Sequence, residues 1–175
     1  MNMLSYKLAV AIKQANPQET SSIEVMQYAL NIILNSLLIV IISLLIGWFT
    51  GKLPDTALSL TSFALLRFFS GGRHLKTAAA CNLFSITLCS LLPHISYLIQ
   101  DYLWIFTTTS LMLMLVFAPN PDVNAQIPHH LYKWMKLVSL LMVTSNLFVS
   151  SSVIGLAFFA QSLTVITLKN RRSPQ

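Results

Sequence analysis

"VMQYALNIILNSLLIVIISLLIGWF", Val25–Phe49, decides the class of this chain. It contains no charged residue. As an α-helix rising 1.5 Å per residue it would reach about 37 Å, more than the ~30 Å of a bilayer hydrocarbon core. It is too long for the apolar core of a signal peptide and has no clear small-residue cleavage site, so a retained membrane span is expected. Composition agrees. Of the 175 residues, 55% are hydrophobic and only 9% charged, against roughly 25% charged in soluble domains. So few charges could not cover a soluble surface of this size. The net charge of +6 comes with no nucleic-acid-binding motif, and the basic residues gather at the ends of apolar runs.

Working outward, "SSIE" (21–24) puts Ser21 three residues before Glu24, the spacing of a capping box at the start of this helix. Upstream, Leu4, Leu8 and Ile12 recur every four residues while Lys7, Lys13 and Gln14 fall elsewhere on the wheel. That pattern predicts a short amphipathic helix over residues 1–15 lying in the membrane interface, ended by Asn16-Pro17. Downstream, Gly47, Gly51 and Pro54 mark a turn, and further apolar runs follow. The expected spans are 25–49, 53–69, 77–99, 102–117, 134–149 and 152–168. Pro93 falls late enough to kink or thin the end of the third. The predicted fold class is an all-α integral membrane protein, six transmembrane helices plus a short N-terminal amphipathic interfacial helix, forming one membrane domain over residues 1–175.

Six spans put both termini on one side. That side then holds Lys7, Lys13, Arg67, Arg73, Lys76, Lys133, Lys136, Lys169, Arg171 and Arg172, and the other only Lys52. The asymmetry predicts cytoplasmic termini and cytoplasmic loops at 70–77 and 118–133.

Little chemistry is available in such a chain. "SGGRHLKTAAAC" (70–81) interrupts the apolar sequence with two glycines, basic residues and His74, and ends at Cys81. A cysteine among alanines in a membrane helix ordinarily acts as a small hydrophobe. Here Thr77 is a good N-cap, which would put Cys81 near the first turn of its helix. The helix dipole and the neighbouring Arg73 and Lys76 would favour a thiolate there. In one unbroken helix, residues seven apart stand about 10 Å apart along the axis, too far for a nucleophile and its base. A Cys81–His74 pair therefore requires the helix to begin after the histidine, with Gly71 and Gly72 letting the loop fold back. Ser70, Thr77 and Asn82 are the nearby candidates for a third, orienting group. Cys89, two turns deeper, reads as a structural neutral thiol. His94 reads as an interfacial histidine. His129 and His130 are consecutive and do not share a helix face, so they make a weak metal site. No metal or cofactor is called for.

These residues resemble a known signature. "RFFSGGRHLKTAAAC" is similar to the accessory gene regulator B proteins, membrane peptidases that process quorum-sensing propeptides: an arginine (Arg67), a glycine-containing stretch (Gly71, Gly72), a histidine (His74) and a cysteine seven residues later (Cys81). "FAPNPDVNAQIP" (117–128) resembles the family's Ala-Pro loop before the penultimate span. Arg73 departs from the aromatic or small residue that many members carry before the histidine, which bears on substrate match more than on chemistry. The resemblance implies a cysteine endopeptidase of the bacterial cell membrane. Cys81 would attack the scissile carbonyl, with His74 as base. The C-terminal tail of a short peptide precursor would leave, and the thioester-linked peptide would cyclise to a thiolactone or lactone. Arg67, Arg73, Lys76, Lys133 and Lys136 are candidates to hold an acidic propeptide tail, and Glu24 at the cytoplasmic edge is a further candidate for substrate binding. The expected partners are that precursor, membrane lipid and a second copy in a homodimer, with no nucleic acid. The alternative reading is a small transporter or channel subunit with a structural cysteine. It lacks an evident internal repeat and a mid-span charge.

Overall fold

The computed structural model describes residues 2–73, 75, 77–121 and 127–166. His74, Lys76 and the basic tail at Lys169, Arg171 and Arg172 lie outside the described residues. Seven α-helices follow one another among those described: α1 (Asn2–Ala15), α2 (Ile23–Phe49), α3 (Leu53–Ser70), α4 (Ala78–Ile95), α5 (Leu103–Phe117), α6 (Tyr132–Val149) and α7 (Ser152–Val165). No strand is present among them, only an isolated bridge between Gly71 and Asn120.

Local signals set most boundaries. Ser22, not Ser21, caps α2: its hydroxyl accepts from the Val25 N–H at 3.4 Å. The expected Ser21–Glu24 capping box is therefore not formed. Glu24 is an exposed residue of the first helical turn, where its charge suits the helix dipole. Pro54 opens α3, where its missing N–H costs nothing. Thr77 caps α4. At the α6–α7 corner, Ser150 takes a left-handed conformation (φ 54°) and Ser151 caps α7. The buried Asn146 joins the two helices by accepting from the Ser151 N–H at 3.2 Å. The third apolar segment ends its α-helix at Ile95, short of the expected 99. After Pro93 the chain tightens into a 3-10 stretch, Ser96–Tyr102, that leads straight into α5. Ala78–Phe117 is thus one continuous helical path of 40 residues.

The packing is turned outside-in relative to a protein folded in water. α2 exposes Ile32, Ile33, Leu37, Ile41, Leu45 and Phe49, and buries only Ser43 and Gly47. α3 turns Thr56, Ser59, Ser62 and Ser70 inward alongside Phe63 and Leu66. Small and hydroxylic residues inside with large apolar ones outside is the pattern of helices packed in lipid. Gly47 serves this close packing, because a Cβ there would lie 2.7 Å from Thr56 Oγ1. Two segments, Ile23–Phe49 and Ala78–Phe117, are long and apolar enough to cross a membrane. α1 buries Ser5 and Ala9 and exposes Leu4, Leu8 and Ile12, so the apolar stripe read from its spacing faces outward. The Ser5 hydroxyl donates to Asn31 of α2 at 2.9 Å.

α7 is the central element, with eight buried residues in its fourteen. One face packs on a cluster of Phe63, Cys89, Leu92 and Ile99. The other packs on Leu66, Met114, Ala118 and Val143. The end of α7 lies beside the end of α3, and the candidate site is built there.

Candidate active site

The chain leaves α3 through the two glycines. Gly71 has φ 69° and ψ −150°, and Gly72 has φ 145°, conformations that L side chains rarely adopt. Space demands glycine as well. A Cβ on Gly71 would collide with the Asn120 carbonyl, and one on Gly72 would lie 2.8 Å from Thr164 Oγ1.

The segment is held at every residue from Ser70 to Arg73. The Gly71 N–H donates to Arg67 O at 2.9 Å, closing α3. The Asn120 N–H donates to Ser70 O at 2.8 Å, and the Gly72 N–H donates to Asn120 O at 2.9 Å. The Arg73 N–H donates to Thr164 O at 2.9 Å, while Arg67 Nη2 donates to Arg73 O at 3.2 Å. Gln161 of α7 donates from Nε2 to Ser70 Oγ (3.0 Å) and Gly71 O (2.7 Å). Its Oε1 accepts from Thr164 Oγ1 (3.0 Å) and Arg67 Nη1 (3.5 Å). A non-helical loop over 70–76 is expected from the glycines; Ser70 instead ends α3, residues 71–73 are non-helical and form a pinned stem, and residues 74 and 76 lie outside the described residues.

The stem meets the second landmark of the sequence. Asn120 follows Ala118-Pro119, whose peptide bond is cis, and its Nδ2 donates to Val165 O at 3.4 Å. The glycine loop and the Ala-Pro loop, far apart in the chain, are therefore one polar assembly closed by the end of α7.

α4 begins after this stem. The Thr77 hydroxyl accepts from the Ala80 N–H at 3.2 Å, and the Cys81 N–H donates to Thr77 O at 3.1 Å. Cys81 thus makes the first main-chain bond of the helix and rides its first turn, half-buried, behind the exposed alanines 78–80. The positive end of the helix dipole acts there. Cys89 lies in the core at 1% exposure, packed with Phe63 and Leu156. Neither thiol is in a disulfide. Beside the first turn of α4, a groove of about 650 Å³ runs between α1, α2 and α4, lined by Asn35, Leu38, Ala78, Asn82 and Leu83. Asn82 Nδ2 donates to Asn35 Oδ1 across it at 2.8 Å.

The remaining expected residues separate. Arg67 faces the stem, so its guanidinium is a structural partner of the loop. Arg73 is exposed, with its main chain held on both sides. Lys133 is exposed and Lys136 half-buried in the first two turns of α6. Among the described residues, Glu24, Lys133 and Lys136 make no hydrogen bond or ion pair with this assembly. Of the three orienting candidates, Ser70 is bound to Gln161, Thr77 caps α4 and Asn82 binds Asn35. Sequence reasoning missed Gln161, Thr164 and Asn120 because it searched for ionisable groups. The usable signal was the polar group Gln161, Ser162 and Thr164 closing the apolar run "GLAFFA" (155–160).

The comparisons bear on the same residues. A curated "Putative AgrB-like protein" of Halalkalibacterium halodurans is 25% identical over 187 residues, covering 98% of this chain and 91% of that protein. No solved structure matches the chain. The family model described as Accessory gene regulator B matches residues 5–169, a stretch that takes in both loops, the pinned stem and the first turn of α4. The chain belongs to the accessory gene regulator B family.

Proposed function

We propose that this protein is a membrane cysteine endopeptidase that removes the C-terminal tail of a short peptide precursor and promotes its cyclisation, with Cys81 as nucleophile and His74 as general base. The observation that carries the reading is the break in the helix. The chain is fixed as a stem up to Arg73, α4 starts only at Ala78, and Cys81 sits in its first turn. A helix that starts at Ala78 supports the pairing, because residues seven apart in one helix would stand about 10 Å apart along its axis. The contrast between a half-buried Cys81 at a helix start and a core-packed Cys89 supports the choice of thiol.

In the proposed reaction the Cys81 sulfur attacks the scissile carbonyl and its proton passes to His74. His74 returns that proton to the departing amine, which becomes the new N-terminus of the released tail. The peptide stays on Cys81 as a thioester. A thiol or hydroxyl within the peptide then attacks the thioester, Cys81 leaves as thiolate and recovers a proton, and a thiolactone or lactone forms. Thiol-to-thiol exchange conserves the thioester bond, and a membrane-edge site that limits water favours ring closure over hydrolysis.

In this reading all six apolar segments span the bacterial cell membrane as a single domain with both termini and the catalytic loop in the cytoplasm, as the distribution of Lys and Arg favours. The exposed Arg73, with Lys76, Lys133, Lys136 and Glu24, forms the cytoplasmic rim that receives the propeptide. Two copies form the working unit. The test is co-expression with a candidate precursor. Cys81→Ala should abolish tail loss and form no acyl-enzyme, while Cys89→Ala should process normally. Equal processing by both variants would defeat the assignment.

A further inference from the structure

We infer that Gln161 is a positioning residue for the catalytic loop: its carboxamide fixes the stem that immediately precedes the proposed general base in the sequence. The inference rests on the peptidase reading above. Gln161 is 0% exposed, and its polar neighbour on the buried face of α7, Ser162, turns its own hydroxyl to Phe159 O. A buried amide persists only where its donors and acceptor are satisfied. Here Nε2 serves Ser70 Oγ and Gly71 O, and Oε1 takes Thr164 Oγ1 and Arg67 Nη1.

No simpler side chain does this. A carboxylate lacks the two N–H donors, and an alkyl chain would leave the Gly71 carbonyl and the Ser70 hydroxyl without their α7 partner. The fit is also steric. A Cβ on Gly72 would lie 3.3 Å from Gln161 Nε2 and 3.1 Å from Arg67 Nη1, so the glycine stem is shaped around this amide. Through Gln161, two distant parts of the chain take one fixed arrangement: the end of α3 with the glycine stem that continues it, and the end of α7. The same contacts make Arg67 a positioning partner, because its two nitrogens reach Gln161 and Thr164 on one side and Arg73 O on the other. Displacing a catalytic group by about 1 Å costs on the order of a hundredfold in rate.

The test uses the full-length protein in lipid vesicles. The rate at which Cys81 is alkylated by a neutral iodoacetamide is followed against pH in a Cys89→Ala background, beside kinetics on the precursor. Wild type and His74→Ala set the two reference profiles. Gln161→Met should move the profile toward that of His74→Ala and lower kcat about a hundredfold, with KM within about twofold. Thr164→Val, which removes one hydroxyl from the same assembly, should shift both in the same direction by less, and it serves as the probe if Gln161→Met does not fold. A Gln161→Met or Thr164→Val protein that melts earlier but keeps the wild-type profile and kcat when folded would overturn the positioning role, leaving a structural one. Identical profiles for wild type and His74→Ala would overturn the Cys–His pair itself, and the positioning role with it.

Discussion

Gly71 and Gly51 share φ 69°, yet replacing each by alanine should have different consequences. At Gly51 an added Cβ meets nothing within 4 Å, so only the left-handed backbone is penalised, at about 1 kcal/mol. At Gly71, ψ −150° places the residue in a region essentially reserved for glycine, worth about 1–3 kcal/mol. The Cβ also collides with the Asn120 carbonyl, so the two loops must part. Parting breaks the bonds from Gly72 N–H to Asn120 O and from Asn120 N–H to Ser70 O, each worth about 1 kcal/mol net. The total is about 3–5 kcal/mol against about 1, a gap of at least about 2 kcal/mol, or roughly thirtyfold in the clamped population. Amide hydrogen exchange on the protein in lipid nanodiscs measures it. Gly71→Ala should cut protection at the amides of residues 72 and 120 by at least that factor, while Gly51→Ala leaves both unchanged. Equal losses in the two variants, or full protection of the Asn120 amide in Gly71→Ala, would refute the clamp.

Three further outcomes follow from the same packing. Under native conditions a maleimide should modify Cys81 and spare Cys89, which is sealed against Phe63 and Leu156; mass spectrometry of the labelled peptides checks this, and denaturant should equalise the two. Thr77→Val removes the hydroxyl that caps α4 and should cost about 1 kcal/mol and slow Cys81 alkylation, with Thr77→Ser restoring both. In a chain freed of native cysteines, Lys52→Cys should react with a membrane-impermeant thiol reagent on intact cells, and Lys7→Cys only after permeabilisation. The reverse pattern would invert the proposed topology.

Helix existence and extent were legible because their causes are local. An apolar run, a capping hydroxyl and a Gly or Pro break each act within a few residues, so the runs at 25–49, 53–69 and 152–168 correspond to α2, α3 and α7 with small shifts at their ends. The errors were local too. Ser21 and Ser22 are both competent caps, and spacing to Glu24 favoured the wrong one. At Pro93 the choice between a kink, a turn and a passage into 3-10 helix depends on what packs there: Ile99, just beyond, is buried against Phe63 and Leu156 of other helices.

By itself, the sequence determined the membrane character of the chain, its helical segments and the start of the helix bearing Cys81 just after Thr77. Each follows from hydrophobic period, charge placement or backbone stereochemistry within a short stretch. Only the tertiary structure decided that Arg67 points into the stem rather than outward, that the glycine loop is clamped, and that Asn120, Gln161 and Thr164 do the clamping. Those partners lie in three separate parts of the chain, and no local pattern encodes a hydrogen bond between them. The bonds exist because lipid-packed helices bring the ends of α3, α5 and α7 together, where unpaired polar groups would otherwise be left buried.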